Sequence, residues 1–132
     1  MKIKVLSLTE PYATLIKENK KKVETRNWKT NYRGELYIHA SLTKGKIRSE
    51  LLSLVDKDNL NYGCIICKCR LVDCIYMTDE YVDKMKKENY QEYICGEYQE
   101  GRYAWILDNI EPLETPIKAK GQLSIWNYEI DT

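Results

Sequence analysis

Alternation of apolar and polar positions predicts strands along most of the chain. Near the amino terminus, Ile3 and Val5 alternate with Lys2 and Lys4, which is typical of a strand with one buried face. The longest apolar run, over residues 64–76, continues through charged positions and predicts a bent central strand. The predicted strands span residues 2–8, 22–28, 35–40, 64–76, 103–107 and, as a short edge strand, 117–120, with extended chain at 111–113 and 115–116.

Helical spacing of apolar residues predicts a few short helices between these strands. The first begins at Thr9 or Glu10 and ends at Asn19, a residue that can adopt the left-handed conformation. A second is predicted over residues 43–56, and a third begins at the capping residue Thr78 and continues to about residue 89. Strands interrupted by short helices predict an α+β fold with a sheet that curls toward a barrel.

Residues 90–102 are polar and rich in tyrosine, which is compatible with either a mobile lid or a surface loop. No linker, repeat or low-complexity segment interrupts the chain. We therefore expect residues 1–132 to form a single domain, a size that buries a core of ordinary proportions.

Charge is balanced overall but segregated along the sequence. The 21 basic and 20 acidic residues leave a net charge of +1, which excludes the strongly basic class of nucleic-acid-binding proteins. Any anion binding must therefore be local. The basic residues of the first third are Lys17, Lys20, Lys21, Lys22, Arg26, Lys29 and Arg33.

Cysteine usage and hydropathy predict a cytoplasmic protein that has no contact with membranes. Five cysteines, an odd number without a signal peptide, favour free thiols in a reducing compartment. No apolar run approaches the roughly 20 residues that a membrane-spanning helix needs.

The densest chemistry lies in the segment that carries Lys21, Glu24 and Arg26. Strand alternation places Glu24, Arg26 and Trp28 on one face. A lysine amine beside a carboxylate and a guanidinium can bind an anion, hold the edge of a base, or act as a nucleophile or base. A solvated ladder of ion pairs has the same pattern, and the surrounding lysine run favours it.

His39, the only histidine, follows on the next predicted strand and lies off its main apolar face. It could act as a general acid or base, or hydrogen-bond the rim of the sheet. Ser41 shares that face, but no Gly-x-Ser-x-Gly motif surrounds it.

Metal, phosphate-loop and cofactor sites have little support. Cys64 and Cys67 have the spacing of a zinc knuckle, but they lie in an apolar strand with neither a second such pair nor a nearby histidine. Buried free thiols are the favoured interpretation. The glycines form no phosphate-binding loop, and no cofactor is indicated.

Several motifs occur in a characteristic order along the chain: Leu6-Ser7-Leu8 through Pro11-Tyr12-Ala13 and Leu15-Ile16, Lys21-x-x-Glu24-x-Arg26-x-Trp28, Arg33-Gly34, Ile38-His39-Ala40-Ser41, Gly63, Tyr103-Ala104-Trp105, and Lys120-Gly121 with Leu123 and Trp126. In these motifs the chain resembles the ASCH domain family, a branch of the PUA-like fold. The resemblance implies a curled β-barrel of about five or six strands flanked by short helices, with a cleft whose floor carries the Lys21 to Arg26 segment, and it implies RNA binding by analogy with PUA domains.

The chain is also similar to small ASCH-like amidohydrolases that deacylate acetylated cytidine. These carry a Lys-x-x-Thr segment and a later Glu-Asn pair. Lys21 matches the lysine and Glu88-Asn89 matches the Glu-Asn pair, whereas Glu24 occupies the threonine position and Thr25 is one residue out of register.

Three hypotheses follow, and the first is an RNA-binding module. In it, Lys21, Arg26 and Arg33 contact phosphate or a base edge, and Glu24 orients them or reads a donor. The other expected ligand-binding residues are Trp28 and Tyr103, which would flank the ligand, together with His39 and Ser41. The second hypothesis is an amidohydrolase of acylated nucleosides, with Lys21 as nucleophile or base and Glu24 or Glu88 handling protons. The third is an interaction module that binds no nucleic acid.

Overall fold

Six strands form one curled sheet in the computed structural model, which describes residues 1–131. The sheet order is β2-β5-β4-β3-β1-β6. The strands are β1 (Lys2–Leu8), β2 (Val23–Arg26), β3 (Gly34–Ala40), β4 (Cys64–Tyr76), β5 (Tyr103–Lys118) and β6 (Ile125–Glu129). The helices are α1 (Tyr12–Lys17), α2 (Asp79–Glu88) and α3 (Tyr90–Ile94), with one turn of 3-10 helix at Ser49–Leu51.

The sheet bends because its longest strand pair is irregular. β1 and β3 are parallel and all other neighbours are antiparallel; β4 and β5 shift register at three places along their length. Such bulges increase local twist and bend a strand pair. Edge strand β2 therefore approaches β1, which lies next to the opposite edge, and Arg26 Nη2 of β2 donates a hydrogen bond of 3.0 Å to the Ser7 carbonyl of β1.

Both faces of the middle strands are buried. Leu36 and Ile38 of β3 belong to the main core with Trp105, whereas Tyr37 packs on the opposite face with Ile65. Helix α1 covers the main core with Ala13 and Ile16, whereas its Leu15 packs against Leu51 and Cys95. Tyr37 and Ile65 thus belong to a second core on the opposite face of the sheet. This second core explains why side chains that lie off the main apolar face are nevertheless buried.

Several predicted elements are confirmed. Strand β1 and the long, bent β4 have the predicted bounds. Helix α2 begins after Thr78, whose Oγ1 accepts a 3.1 Å hydrogen bond from the Tyr81 amide, and it ends before Asn89. Asn19 adopts the predicted left-handed conformation, with φ 65°. The α+β fold, a curled sheet of six strands flanked by short helices, is likewise confirmed.

The helix predicted over residues 43–56 is wrong, because only Ser49–Leu51 form a single 3-10 turn. The segment buries only Leu51 completely, with Ile47, Leu54 and Val55 half-buried around it, and residues 43–46 are exposed and include a glycine. A short helix needs a packed apolar face to be stable. This segment instead follows the surface as turns.

The carboxy-terminal third is more extended than predicted. The separate strands expected at 103–107 and 117–120 are one strand, β5, since β4 offers a pairing partner along its length. Strand β2 pairs only with residues 103–106 of β5, so beyond residue 106 the edge of β5 that faces away from β4 has no partner strand. Pro112 and Pro116 lie in this part of β5, where a strand tolerates a residue without a backbone N–H. The sequence pattern does not predict β6, and the strand predicted over 22–28 is shorter, at Val23–Arg26.

Residues 90–102 form α3 followed by turns, and they pack against the end of the sheet. Within residues 1–131, no helix is both long and apolar enough to cross a membrane.

Candidate ligand-binding groove

Three cavities lie in a row where β1 and β2 approach each other, and we call them together the groove. The proximal pocket has a volume of about 410 Å³, the central pocket about 120 Å³ and the distal pocket about 400 Å³. Thr9, Tyr12 and Glu24 line both the proximal and central pockets, and Ser7 and Arg26 line both the central and distal pockets. The central pocket therefore adjoins both the proximal and the distal pocket.

Lys21 forms part of the proximal pocket wall although it is only 1% exposed. Its Nζ donates hydrogen bonds to the carbonyls of Val23, at 2.5 Å, and Cys95, at 2.8 Å. The same nitrogen lies 5.8 Å from the centre of the Tyr12 ring. The ammonium is thus fixed between β2 and the segment that follows α3.

Glu24 joins Lys21 to Arg26. Its Oε1 lies 3.7 Å from Lys21 Nζ, and its Oε2 lies 2.9 Å from Arg26 Nε. The Arg26 Nε–H is not aimed well enough at the carboxylate to form a hydrogen bond, so this contact is an ion pair by distance alone. Because Glu24 is 8% exposed, the solvated ladder that sequence patterning favoured is wrong.

His39 fixes the wall of the distal pocket. Its Nε2 lies 2.8 Å from the Ala119 carbonyl, and its Nδ1 lies 3.0 Å from Ser7 Oγ. The same Ser7 oxygen accepts a hydrogen bond of 3.0 Å from Trp126 Nε1. A carbonyl can only accept, so the hydrogen-bond network assigns the proton to Nε2, and Ser7 donates to Nδ1. Both ring nitrogens are occupied, which favours the structural interpretation of this histidine.

Gly121 is pressed against this histidine. A Cβ at position 121 would lie 2.9 Å from His39 Cε1 and 3.0 Å from Ser7 Oγ, and neither side chain is free to move. We expect Gly121→Ala to lower the free energy of unfolding by about 1–3 kcal/mol, as for other overpacked sites. Gly45→Ala is the control, since nothing lies within 4 Å of its added methyl. Equal urea midpoints for the two variants would contradict the close contact.

Glu92 of α3 lines none of the groove pockets but supports the segment that carries Lys21 and Glu24, and sequence patterning missed it. It is 4% exposed, and its Oε1 accepts a 2.7 Å hydrogen bond from the Lys22 amide, while its Oε2 is buried without a partner among residues 1–131. Burial raises the pKa of Glu92, and the nearby Lys21 ammonium opposes this only in part. Glu92 therefore holds the Lys21 to Val23 backbone in place against α3.

The raised pKa of Glu92 predicts a pH-dependent stability. The folded state binds the proton of the Glu92 carboxyl group more tightly than the unfolded state does. The stabilisation that this gives is fully present below the unfolded pKa of 4.5 and is lost as pH rises through the folded pKa. We expect Glu92→Gln, which cannot titrate, to remove this part of the decline in unfolding free energy as pH rises above 4.5. Denaturant titrations across that range measure it, and parallel curves for both proteins would contradict the assignment.

The structure gathers some predicted site residues and leaves others outside. Lys21, Glu24, Arg26, His39 and Ser41 line the groove. The remaining predicted residues line none of its pockets: Trp28 packs edge-on against Trp105, Tyr103 against Tyr76, Arg33 donates to the Thr30 and Tyr32 carbonyls, and Glu88 lines a separate cavity beside α2.

Two cationic residues of the proximal pocket come from segments whose structure the sequence did not reveal. Arg48 donates to the Ile94 carbonyl, and Arg102 donates to the carbonyls of Glu97, at 3.0 Å, and Thr25, at 3.2 Å. Both therefore brace the pocket wall.

The cysteines are free thiols, and Cys67 and Cys69 are buried in β4. Burial raises the pKa of the Cys69 thiol to about 12 and that of Cys67 still further, so both are protonated at neutral pH. Within residues 1–131, no group of three or more histidine, cysteine or acidic side chains is arranged to hold a metal ion.

Comparison with known proteins gives consistent results. Activating signal cointegrator 1 is similar to this chain over 135 residues, with 25% identity for the human protein and 26% for the mouse protein. The match covers 94% of this chain but only 22% of those relatives, so the chain spans about a fifth of their length.

Among solved structures, ASCH from Zymomonas mobilis superposes with a TM-score of 0.56 at 21% identity, covering 87% of this chain and 72% of that chain. A serine-to-alanine mutant of the same Zymomonas mobilis protein superposes with a TM-score of 0.55 at 22% identity, covering the same shares. At these identities the likeness concerns the fold. The family model of the ASCH domain matches residues 6–117, which is most of the sequence, and the chain therefore belongs to the ASCH domain family.

Proposed function

We propose that this chain is a nucleic-acid-binding module that binds single-stranded RNA in the groove. The observation that carries the proposal is local charge. Five basic residues line the groove against two acidic ones, Glu24 and Glu97, an excess of three positive charges in a chain whose net charge is +1. The basic residues are Lys21, Arg26, Arg48, Arg102 and Lys120. The association of ASCH and PUA-like domains with RNA supports the choice of ligand.

The shape of the groove favours a single strand. The proximal pocket, at about 410 Å³, falls within the usual range for pockets that enclose a small organic group. Its floor presents the Glu24 carboxylate as an acceptor beside the Lys21 ammonium. Such groups can hydrogen-bond a base edge only when the base is unpaired and turned out of the strand.

The contacts of Lys21 favour binding over hydrolysis. An amine acts as nucleophile or base through a free lone pair, whereas Lys21 Nζ donates to two carbonyls and contacts Glu24. Glu88, the other acid of the amidohydrolase hypothesis, lines a different cavity. Deacetylation of acetylated cytidine above that of a Lys21→Met control would favour the enzyme instead.

Fluorescence anisotropy with a labelled single-stranded RNA of mixed sequence tests the proposal. We expect Arg26→Ala to weaken binding about tenfold and Arg48→Ala about fivefold at low salt, because each variant removes a cation that faces the RNA. Each variant should also reduce the slope of log affinity against log salt by about 0.7 for each phosphate that the protein no longer neutralises.

Arg70→Ala is the matched control, because Arg70 is an exposed arginine of β4 that lines none of the three pockets. Its RNA affinity should equal that of the parent chain. Absence of binding at low salt, or equal affinity of Arg26→Ala and Arg70→Ala, would overturn the proposed function.

A further inference from the structure

We propose that the distal pocket is a second subsite, which binds the phosphate and the next nucleotide of an RNA strand whose first nucleoside occupies the proximal pocket. This inference rests on the proposed function and specifies it. It predicts that the smallest ligand able to use the whole groove is a dinucleotide, and that the two pockets contribute differently to binding.

The two pockets differ in charge. The proximal pocket has carboxylates as well as cations, so it can satisfy both the donors and the acceptors of an uncharged nucleoside. The distal pocket has Arg26 and Lys120 and no acidic side chain. A wall with positive charge alone suits a phosphodiester group, which has only acceptor oxygens and a negative charge.

Two polar groups of the distal pocket have no partner among residues 1–131. Ser41 Oγ is buried and forms no hydrogen bond. The Lys120 ammonium is exposed and forms neither a hydrogen bond nor an ion pair. By contrast, Ser7 and His39 in the same wall are fully engaged with each other and with Trp126. A buried hydroxyl without a partner is costly, and a ligand oxygen at this position would remove that cost.

Apolar side chains at the rim provide a surface for a base. Leu42 is 70% exposed and Leu123 is 92% exposed, and both line the distal pocket. Large aliphatic side chains so exposed beside two cations can pack against the face of a base while the cations hold its phosphate. The distal pocket thus combines the two kinds of contact that a nucleotide requires.

Arg26 lies at the connection between the subsites. It lines both the central and distal pockets, and its guanidinium is held by Ser7 and Glu24. A strand that passes from the proximal to the distal pocket must therefore pass this guanidinium. The linking phosphate would lie between Arg26 and Lys120, and Ser41 would contact this phosphate or the sugar that follows it.

Isothermal titration with a graded set of ligands tests the inference. The probes are, for each of the four bases, the nucleoside, its 3′-monophosphate and a dinucleotide beginning with it. The variants are Lys120→Ala and Ser41→Ala. Lys118→Ala is the control, because it removes an exposed lysine two positions away that lines none of the groove pockets.

For the best-bound base, we expect the dinucleotide to bind about tenfold more tightly than the nucleoside. Lys120→Ala should weaken binding of the dinucleotide about fivefold and leave the affinity for the nucleoside unchanged. Ser41→Ala should also weaken binding of the dinucleotide and not that of the nucleoside. Lys118→Ala should match the parent chain with every ligand.

Other outcomes overturn the inference in distinguishable ways. If the dinucleotide binds no better than the nucleoside, or if Lys120→Ala matches Lys118→Ala, the second subsite is wrong while the proposed function stands. If Lys120→Ala weakens nucleoside and dinucleotide equally, Lys120 supports the groove as a whole and the subsite is again wrong. If no RNA of any length binds, the proposed function and this inference both fail.

Discussion

Replacement of Glu24 by glutamine is expected to lower the free energy of unfolding by about 3–5 kcal/mol, the usual cost of removing one partner of a buried ion pair. Glu24 is the carboxylate in contact with Lys21, which is 1% exposed, and it also faces Arg26. Without it, the Lys21 ammonium keeps two carbonyl acceptors but no longer has the compensating charge beside it. Urea unfolding followed by circular dichroism measures the loss.

A double-mutant cycle separates this pair from other effects. We expect Lys21→Met combined with Glu24→Gln to lose less stability than the sum of the single losses, with a coupling of about 1–3 kcal/mol. The matched control is Lys84 with Glu88, an exposed pair at 3.9 Å on α2, whose coupling should be below about 0.5 kcal/mol. Additive losses at Lys21 and Glu24 would contradict the buried ion pair.

Truncation of Trp105 to alanine is expected to cost about 3–5 kcal/mol, because the indole is fully buried in the main core. Its ring meets Trp28 edge-on at 4.6 Å, and its Nε1 donates to the Trp28 carbonyl at 3.3 Å. Trp105 also pairs with Glu24 across β5 and β2. The variant should therefore lose RNA binding together with stability.

Two further substitutions calibrate the Trp105 result in the same thermal and urea unfolding experiments. Trp105→Phe keeps an aromatic ring and should lose clearly less stability than Trp105→Ala. Leu52→Ala, at a side chain that is 48% exposed, should change the free energy of unfolding by less than about 0.5 kcal/mol. A loss below about 1 kcal/mol for Trp105→Ala would contradict the position of this indole in the core.

Sequence pattern predicted elements that depend on local chemistry. Strand β1 alternates over most of its length, β4 is a long apolar run with only single charged residues in it, and α2 begins at a threonine cap. The pattern failed where tertiary context decides. Residues 43–56 have helical spacing but bury little, and β5 continues past Pro112 because β2, which flanks it, is only four residues long.

The candidate site was predictable only in part for the same reason. Lys21, Glu24 and Arg26 are close in sequence, so strand alternation could bring them together, but it could not reveal that Lys21 is buried. That burial depends on α3, which supplies Glu92, and on the Cys95 carbonyl, some seventy residues away. The distal wall likewise comes from the segment after β5, whose approach to β1 follows from sheet pairing.

The most direct test of RNA binding in the groove is nuclear magnetic resonance titration of the labelled protein with a single-stranded RNA. We expect the largest amide shifts along the groove, at Thr9 and Gly96 in the proximal pocket and at Gly121 in the distal pocket. Amides of exposed residues elsewhere, such as Val72 of β4, should stay in place. Saturable shifts centred on another surface, or none at these groove amides, would contradict RNA binding in the groove.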